Sequence, residues 1–277
     1  MSLQWKYLLK NLGEWQGSFT RLSPNGEELE DTPTIVTLEG LNDNKTIHQV
    51  VRRLPPHQPP NHLVLEYSSL GNSILFFENG AFCQGSMQWS PYSQFGAELG
   101  LIFGERRLRL VQLFEGSGDS KLTSLTLIRE KLAGSQTPER PPLSLEHLLG
   151  EWQGEAITIY PDRRKPDTFQ THLAIQHEGN SRIKQKLTFG TRTIESSAQI
   201  TDSKLTFDQS EMQMQVLFLP DGCSSNCPVN IKPRLPFVLE LGWLIEPRLR
   251  QRIIRSYSPK GEWLSVTFVE ERKLGNG

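Results

Sequence analysis

The sequence has little cysteine, no long apolar run and no surplus of charge. Three cysteines occur, at 83, 223 and 227. That odd, small number excludes a disulfide-built scaffold and fits a reducing compartment. No window approaches the roughly 18 consecutive apolar residues of a membrane-spanning helix. The 30 Lys and Arg against 31 Asp and Glu leave a formal net charge of -1. A basic footprint for nucleic acid or an anionic membrane is therefore missing. The opening stretch MSLQWKYLLKNLGEW has neither the apolar core nor the small-residue cleavage site of a secretory signal. A cytoplasmic protein is expected.

Catalytic motifs are also missing. There is no Gly-x-Ser-x-Gly, no phosphate-cradling Gly-rich loop ending in Lys-Ser/Thr, and no His-Glu-x-x-His. The six histidines (48, 57, 62, 147, 172 and 177) show no ligand spacing with Cys223 and Cys227. The expectation is no metal, no cofactor and a non-enzymatic role. Cys223 and Cys227 read as two loop thiols or a local disulfide, in a turn-rich loop over 220–236 that could act as a lid.

What the chain does contain is a repeat. LGEWQG occurs at 12–17 and again at 149–154. The match continues: FGAELGLIFGERRLRLVQLF aligns with FVLELGWLIEPRLRQRIIRSY, placing Glu98 on Glu240, Gly100 on Gly242 and Arg109 on Arg252. The offset drifts only from 137 to about 142, so the halves are duplicates with small insertions and deletions. Between them, AGSQTPERPP is polar, carries three prolines and has no periodicity. This gives a domain over 1–132, a linker over 133–142 and a domain over 143–277.

Each half opens with a short helix. Trp5, Leu8, Leu9 and Leu12 recur at helical spacing, and Ser144 can cap the second helix. Some nine short strands with frequent turn signals follow in each half. Many short strands and almost no helix point to an all-β chain of two antiparallel up-and-down barrels, which leave no edge exposed.

Gly13-Glu14-Trp15 and Gly150-Glu151-Trp152, each at the first strand of such a pattern, resemble the calycin superfamily of lipocalins and fatty-acid-binding proteins. The resemblance implies two tandem lipocalin-like barrels, each with its Trp as a floor and a late-strand basic residue over the ring. Arg129 or Lys131 would serve Trp15, and Arg272 would serve Trp152. The tandem arrangement, with LPDGCSSNCP before FVLELGWL, is similar to a family of cyanobacterial and plastid proteins with no known activity. Haem-binding barrels share Gly-x-Trp-x-Gly but ligate iron through a late-strand His, and both halves lack one.

Candidate site residues lie on the late hairpins. Alternation puts Phe95, Ala97, Leu99 and Leu101 on one face, and Gly96, Glu98, Gly100 and Ile102 on the other. Glu98 would face Arg109, and Glu240 would face Arg252, either as surface pairs that pin register or as polar contacts lining a cavity. Arg255 and Tyr257 share a face with Leu239, Leu241 and Trp243. They resemble the Arg-x-Tyr pair with which fatty-acid-binding barrels hold a carboxylate. The repeated Gln49 and Gln185 point either inward or outward. Three functions follow: a carrier of a small hydrophobic or carboxylate-bearing ligand; an interaction protein whose interiors are filled by Phe95, Leu99, Phe237, Leu241 and Trp243; or a bilin chaperone or lyase, with an arginine-rich mouth taking the propionates. No nucleic-acid partner is expected.

Overall fold

A computed structural model of the chain describes residues 1–118 and 120–275. Asp119, in the 115–120 turn, and the last two residues of the second domain lie outside the described residues. The chain is all-β, as its pattern predicts. The first half runs α1 (Leu3–Leu8), β1 (Gly13–Leu22), β2 (Glu28–Leu41), β3 (Thr46–Arg53), β4 (Asn61–Tyr67), β5 (Ile74–Phe76), β6 (Phe82–Gly85), β7 (Phe95–Phe103), β8 (Arg106–Phe114) and β9 (Leu122–Leu132). The second runs α2 (Leu145–Leu148), β10 (Gly150–Ile159), β11 (Asp167–Glu178), β12 (Arg182–Phe189), β13 (Arg192–Thr201), β14 (Lys204–Phe207), β15 (Met214–Phe218), β16 (Cys223–Pro228), β17 (Phe237–Glu246), β18 (Leu249–Tyr257) and β19 (Trp263–Lys273). No described helix is long and apolar enough to cross a membrane.

Both helices form where the sequence places them. Ser2 accepts the Trp5 amide at 3.2 Å, and Ser144 precedes α2 with its amide donating to Nδ1 of His147. Trp5, Leu8, Leu145 and Leu148 are buried against their own halves. The 220–236 loop expected from its turn residues instead holds a six-residue strand. Cys223–Pro228 is β16, paired on both sides and buried. Tertiary pairing overrides a local composition of Ser, Asn and Pro there.

The two copies close differently. In the second half the ten strands β10 to β19 form a closed barrel. The first half has nine, and its curled sheet ends at β4 and β5, where Phe76 of β5 donates its N–H to the Gln4 side chain at 2.7 Å and its carbonyl accepts from it at 2.9 Å. Strand count bears on the difference. Every neighbouring pair is antiparallel, so an even number brings the last two edges together in opposite directions. With nine, β4 and β5 run the same way, so closure would take a parallel pair, and none forms between them. Matching registers locate the cause. Tyr67 and Ile74 occupy the places of Ala198 and Val216, yet 7 positions separate the first pair and 18 the second. The missing residues are those that build β14.

The halves pack back to back through outward faces. Phe95, Leu99, Leu101, Leu108 and Leu110 join Leu239, Leu241, Trp243 and Ile253 in one shared core. Phe95, Leu99, Phe237, Leu241 and Trp243 therefore do not fill the barrels; they glue them together. The interface has pseudo-two-fold symmetry. Phe95 and Phe237 hold equivalent places and meet each other at 5.7 Å, edge to face. The segment 133–142 straps this junction: Arg140 lies over the Trp243 ring at 4.5 Å and donates to the carbonyl of Ile245 at 3.1 Å.

Candidate binding sites in and between the barrels

The repeated hexapeptide carries the floor of each half. Gly13 and Gly150 adopt φ of 128° and 109°, which L side chains rarely take. Trp15 and Trp152 then turn inward, donating Nε1–H to the carbonyls of Asn11 and Leu148, both at 2.9 Å. Gly17 and Gly154 let the last strand pass close by: a Cβ on Gly17 would stand 1.8 Å from the Arg129 carbonyl oxygen, and one on Gly154 2.5 Å from that of Glu270. Opposite these glycines sit Glu130 and Glu271.

A charged ladder rises from each floor. Arg107 lies over Trp15 at 4.4 Å and donates to Glu130 at 2.7 Å. Arg109 bridges Glu130 at 2.8 Å and Glu98 at 2.6 Å, and Gln84 donates to Glu98 at 2.7 Å. The second half repeats it: Arg250 lies over Trp152 at 4.8 Å and pairs with Glu271. Arg252 bridges Glu271 at 3.0 Å and Glu240 at 3.3 Å, with Asn226 donating to Glu240 at 3.2 Å. Burial opposes ionisation of Glu130, but Arg107 and Arg109 outweigh it and hold its carboxyl down at about 2. Glu271 is lowered in the same way by Arg250 and Arg252.

The Glu98–Arg109 and Glu240–Arg252 contacts are thus interior, not surface pairs. Their register is two residues off the direct opposition expected, because Arg109 stands across from Gly100 and Arg252 from Gly242. The glycines leave room for the diagonal reach. The basic residue over each Trp is corrected: Arg107 and Arg250 take that place, not Arg129, Lys131 or Arg272. Lys273 approaches Trp152 more distantly, at 5.4 Å. Arg129 faces outward, bonded to Glu139 at 2.9 Å and Thr20 at 3.0 Å. The signal for the ladder is the repeated Arg-x-Arg at 107–109 and 250–252, whose period-two spacing puts both guanidiniums on one face.

Arg255 and Tyr257 share a face with Leu239 and Trp243, as alternation requires, but that face meets the other half. Arg255 donates to the Ser86 carbonyl at 2.9 Å and to Cys83 Sγ at 3.1 Å, and Tyr257 donates to the same carbonyl at 2.8 Å. Its pseudo-symmetric counterpart Gln112 reaches Ser225 at 2.9 Å. These donors clasp the two halves. The three cysteines are free and buried, and burial pushes Cys227 up to about 12.

Among the described residues, two concave spaces bear on binding. One of about 320 Å³ lies inside the open first half, lined by Gln49, Leu65, Tyr67, Glu98 and Arg109. Gln49 therefore points inward. The other, about 890 Å³, is a groove between the halves, with α1 and the β5–β6 hairpin on one wall and β10 and β19 on the other. Leu75, Phe77, Ile157, Ile159 and Phe268 supply its apolar lining; Arg163 and Arg164, with Glu78, Glu155 and Glu270, supply its charged lining. Arg164 is paired with Asp162. Among the described residues the Arg163 guanidinium has no acidic partner.

Comparison with known proteins places this architecture. Over residues 1–135 the chain matches the N-terminal domain of unknown function DUF3598, and over 139–274 the C-terminal domain of biogenesis factor required for ATP synthase 1. A DUF3598-family crystal structure from Nostoc punctiforme PCC 73102 is 49% identical, covers 99% of this chain and 100% of its own, and superposes with a TM-score of 0.93. The chain belongs to the DUF3598 family. The S-type phycobiliprotein lyase of Guillardia theta aligns with this DUF3598 protein at 12% identity over 48% of the chain and 91% of its own, with a TM-score of 0.35. Kievitone hydratase of Nectria haematococca aligns at 9% identity over 99% of the chain and 92% of its own, with a TM-score of 0.22. No curated protein matches the chain.

Proposed function

We propose that this DUF3598 protein is a non-enzymatic binding protein that holds an elongated amphipathic guest in the groove between its halves. The observation that carries this reading is Arg163, which has no acidic partner among the described residues and lines a largely apolar groove of about 890 Å³. An apolar body would lie on Phe77, Ile157 and Phe268, and an anionic end would meet Arg163. Leu3 is 64% exposed and Ile157 37%, so both gain from being covered. The ladder residues suit this role less, because their carboxylates are already taken by arginines, although one guanidinium nitrogen each of Arg107 and Arg250 is left without a partner. The calycin-like sequence signature supports the same class of function.

The groove suits a fatty acyl carboxylate or an open-chain tetrapyrrole carrying propionates, and these separate by absorbance. The test is titration with a fluorescent fatty acid and with a bilin, against Arg163→Glu and Ile157→Lys variants. Saturable binding that falls at least tenfold in both variants supports the reading. No saturable binding, or binding indifferent to both substitutions, removes it. A second reading, an assembly factor for a protein client, is favoured by the match of residues 139–274 to a domain of an ATP synthase biogenesis factor. Pull-down of such a client with the groove empty would favour it.

A further inference from the structure

We propose that the interior of the first half holds a second guest, a small neutral molecule with a carbonyl group on an apolar body. Its place is the cavity of about 320 Å³ lined by Arg107, Arg109 and Glu98 of the first ladder. Residues 68–73 pass directly from β4 to β5 and form one side of it, through Ser69, Leu70, Gly71 and Ser73. The second half instead inserts β14 between β13 and β15, and its Leu205 is buried in that barrel's core.

The spare groups of this cavity are donors. Arg107 is 3% exposed, and its Nη2 is buried without a partner. Its Nε is bound to Glu130 at 2.7 Å and its Nη1 reaches Asn11 at 3.4 Å, so Nη2 is the arm left for a guest. Gln49, on β3, accepts the Tyr67 hydroxyl at 3.1 Å, and its amide nitrogen has no partner among the described residues. Burial raises the pKa of the Tyr67 hydroxyl and the Arg107 charge pulls it back, so the two groups stand within electrostatic reach of each other. The ladder's acceptors are taken. Both Glu130 oxygens accept from Arg109 and one also from Arg107, while Glu98 accepts from Arg109 and from Gln84. A buried N–H left unpaired is costly, and a guest that supplies an acceptor removes that penalty.

Charge decides what kind of acceptor fits. Arg107 and Arg109 are matched by Glu130 and Glu98, so the ladder is neutral as it stands. A carboxylate guest would add an unmatched charge to a buried site. A ketone or aldehyde oxygen accepts from Arg107 without doing so. Leu8, Val36, Leu38, Phe76 and Phe82 give the body of the guest an apolar wall. At the packing density of protein interiors the space takes about a dozen non-hydrogen atoms. This guest differs from the anionic one of the groove, and Arg163 does not line its cavity.

The test is equilibrium dialysis of the full chain against three naphthalenes of similar shape: the methyl ketone 2-acetylnaphthalene, the carboxylate 2-naphthoate and the hydrocarbon 2-ethylnaphthalene. The ketone should bind saturably, at least tenfold more tightly than the carboxylate and at least threefold more tightly than the hydrocarbon. Arg107→Lys keeps the charge beside Glu130 but withdraws Nη2, so the ketone should lose its advantage while the affinity for the hydrocarbon holds. Gln49→Met should reduce the same advantage without touching the ladder, and it serves if Arg107→Lys does not fold. Leu65→Trp, at a cavity-lining position that is 41% exposed, should weaken ketone binding at least tenfold with melting unchanged. No saturable binding of the ketone, which would leave Nη2 to water alone, overturns the proposal. So does a hydrocarbon affinity within threefold of the ketone's, or a carboxylate affinity within tenfold. A ketone preference that survives both Arg107→Lys and Gln49→Met, or binding that Leu65→Trp spares, overturns it as well. Arg163→Glu should leave ketone binding unchanged, so the cavity and the groove fail separately; loss of binding there would move the ketone to the groove and overturn its placement here.

Discussion

Replacing Glu130 by Gln tests the ladder most directly. The substitution keeps the shape but leaves Arg107 and Arg109 buried beside a neutral amide. Arg109 retains Glu98, whereas Arg107 keeps only the Trp15 face and a 3.4 Å contact with Asn11. Removing one member of a buried ion pair costs about 3–5 kcal/mol. The pKa supplies a second figure. A carboxyl held at about 2 against an ordinary 4.5 contributes about 3 kcal/mol near neutrality. Because the folded value is the lower one, this stability is complete above the unfolded pKa and drains away as pH falls from 4.5 towards 2. Urea unfolding followed by tryptophan fluorescence should show Glu130→Gln about 3 kcal/mol less stable at about pH 7, the gap narrowing to about 1 kcal/mol at about pH 3. A gap under about 1 kcal/mol at neutral pH, or one that ignores pH, would refute the argument.

Other outcomes follow from the same geometry. Gly17→Ala drives a Cβ into the Arg129 carbonyl, which as backbone cannot yield, so a loss of about 3 kcal/mol or more is expected in the same unfolding assay. Arg255→Ala strips the clasp of its donor and leaves the Ser86 carbonyl short of one partner. We expect about 2–3 kcal/mol of destabilisation and increased hydrogen exchange at 83–86 and 255–257, the two faces of the junction. Thiol titration with a chromogenic disulfide should find no reactive cysteine in the native protein at mildly alkaline pH and three after denaturation, since burial both covers the thiols and raises their pKa values.

The duplication, the strand-rich class and the floor at each hexapeptide were legible because they rest on local signals. Period-two alternation assigned Glu98 to one face of β7 and Leu99 to the other, and a residue cannot change faces without a register slip. Which face was inside was not legible. Alternation offered Phe95 and Trp243 as barrel filling and left the Glu–Arg pairs open between the surface and a cavity. The charges lie inside because the largest apolar surface is shared between two halves, and because Arg-x-Arg and a late-strand Glu pair with each other over the Trp ring. Only three-dimensional pairing reveals such partners: Glu130 is over 20 positions from Arg107.

The small drift in repeat offset also concealed structure. Between Val51 and Leu63 the first half spans 12 positions where Leu187 to Ile194 spans 7, a lengthening that masks much of the later shortening before β5. Sequence alone determined that the chain holds two copies of one β unit with a Trp at each floor, because backbone propensity and alternation act over a few residues. Tertiary structure alone decided that one copy closes and the other stays open. Closure depends on which edges meet around a ring, and no local stretch of sequence encodes that meeting.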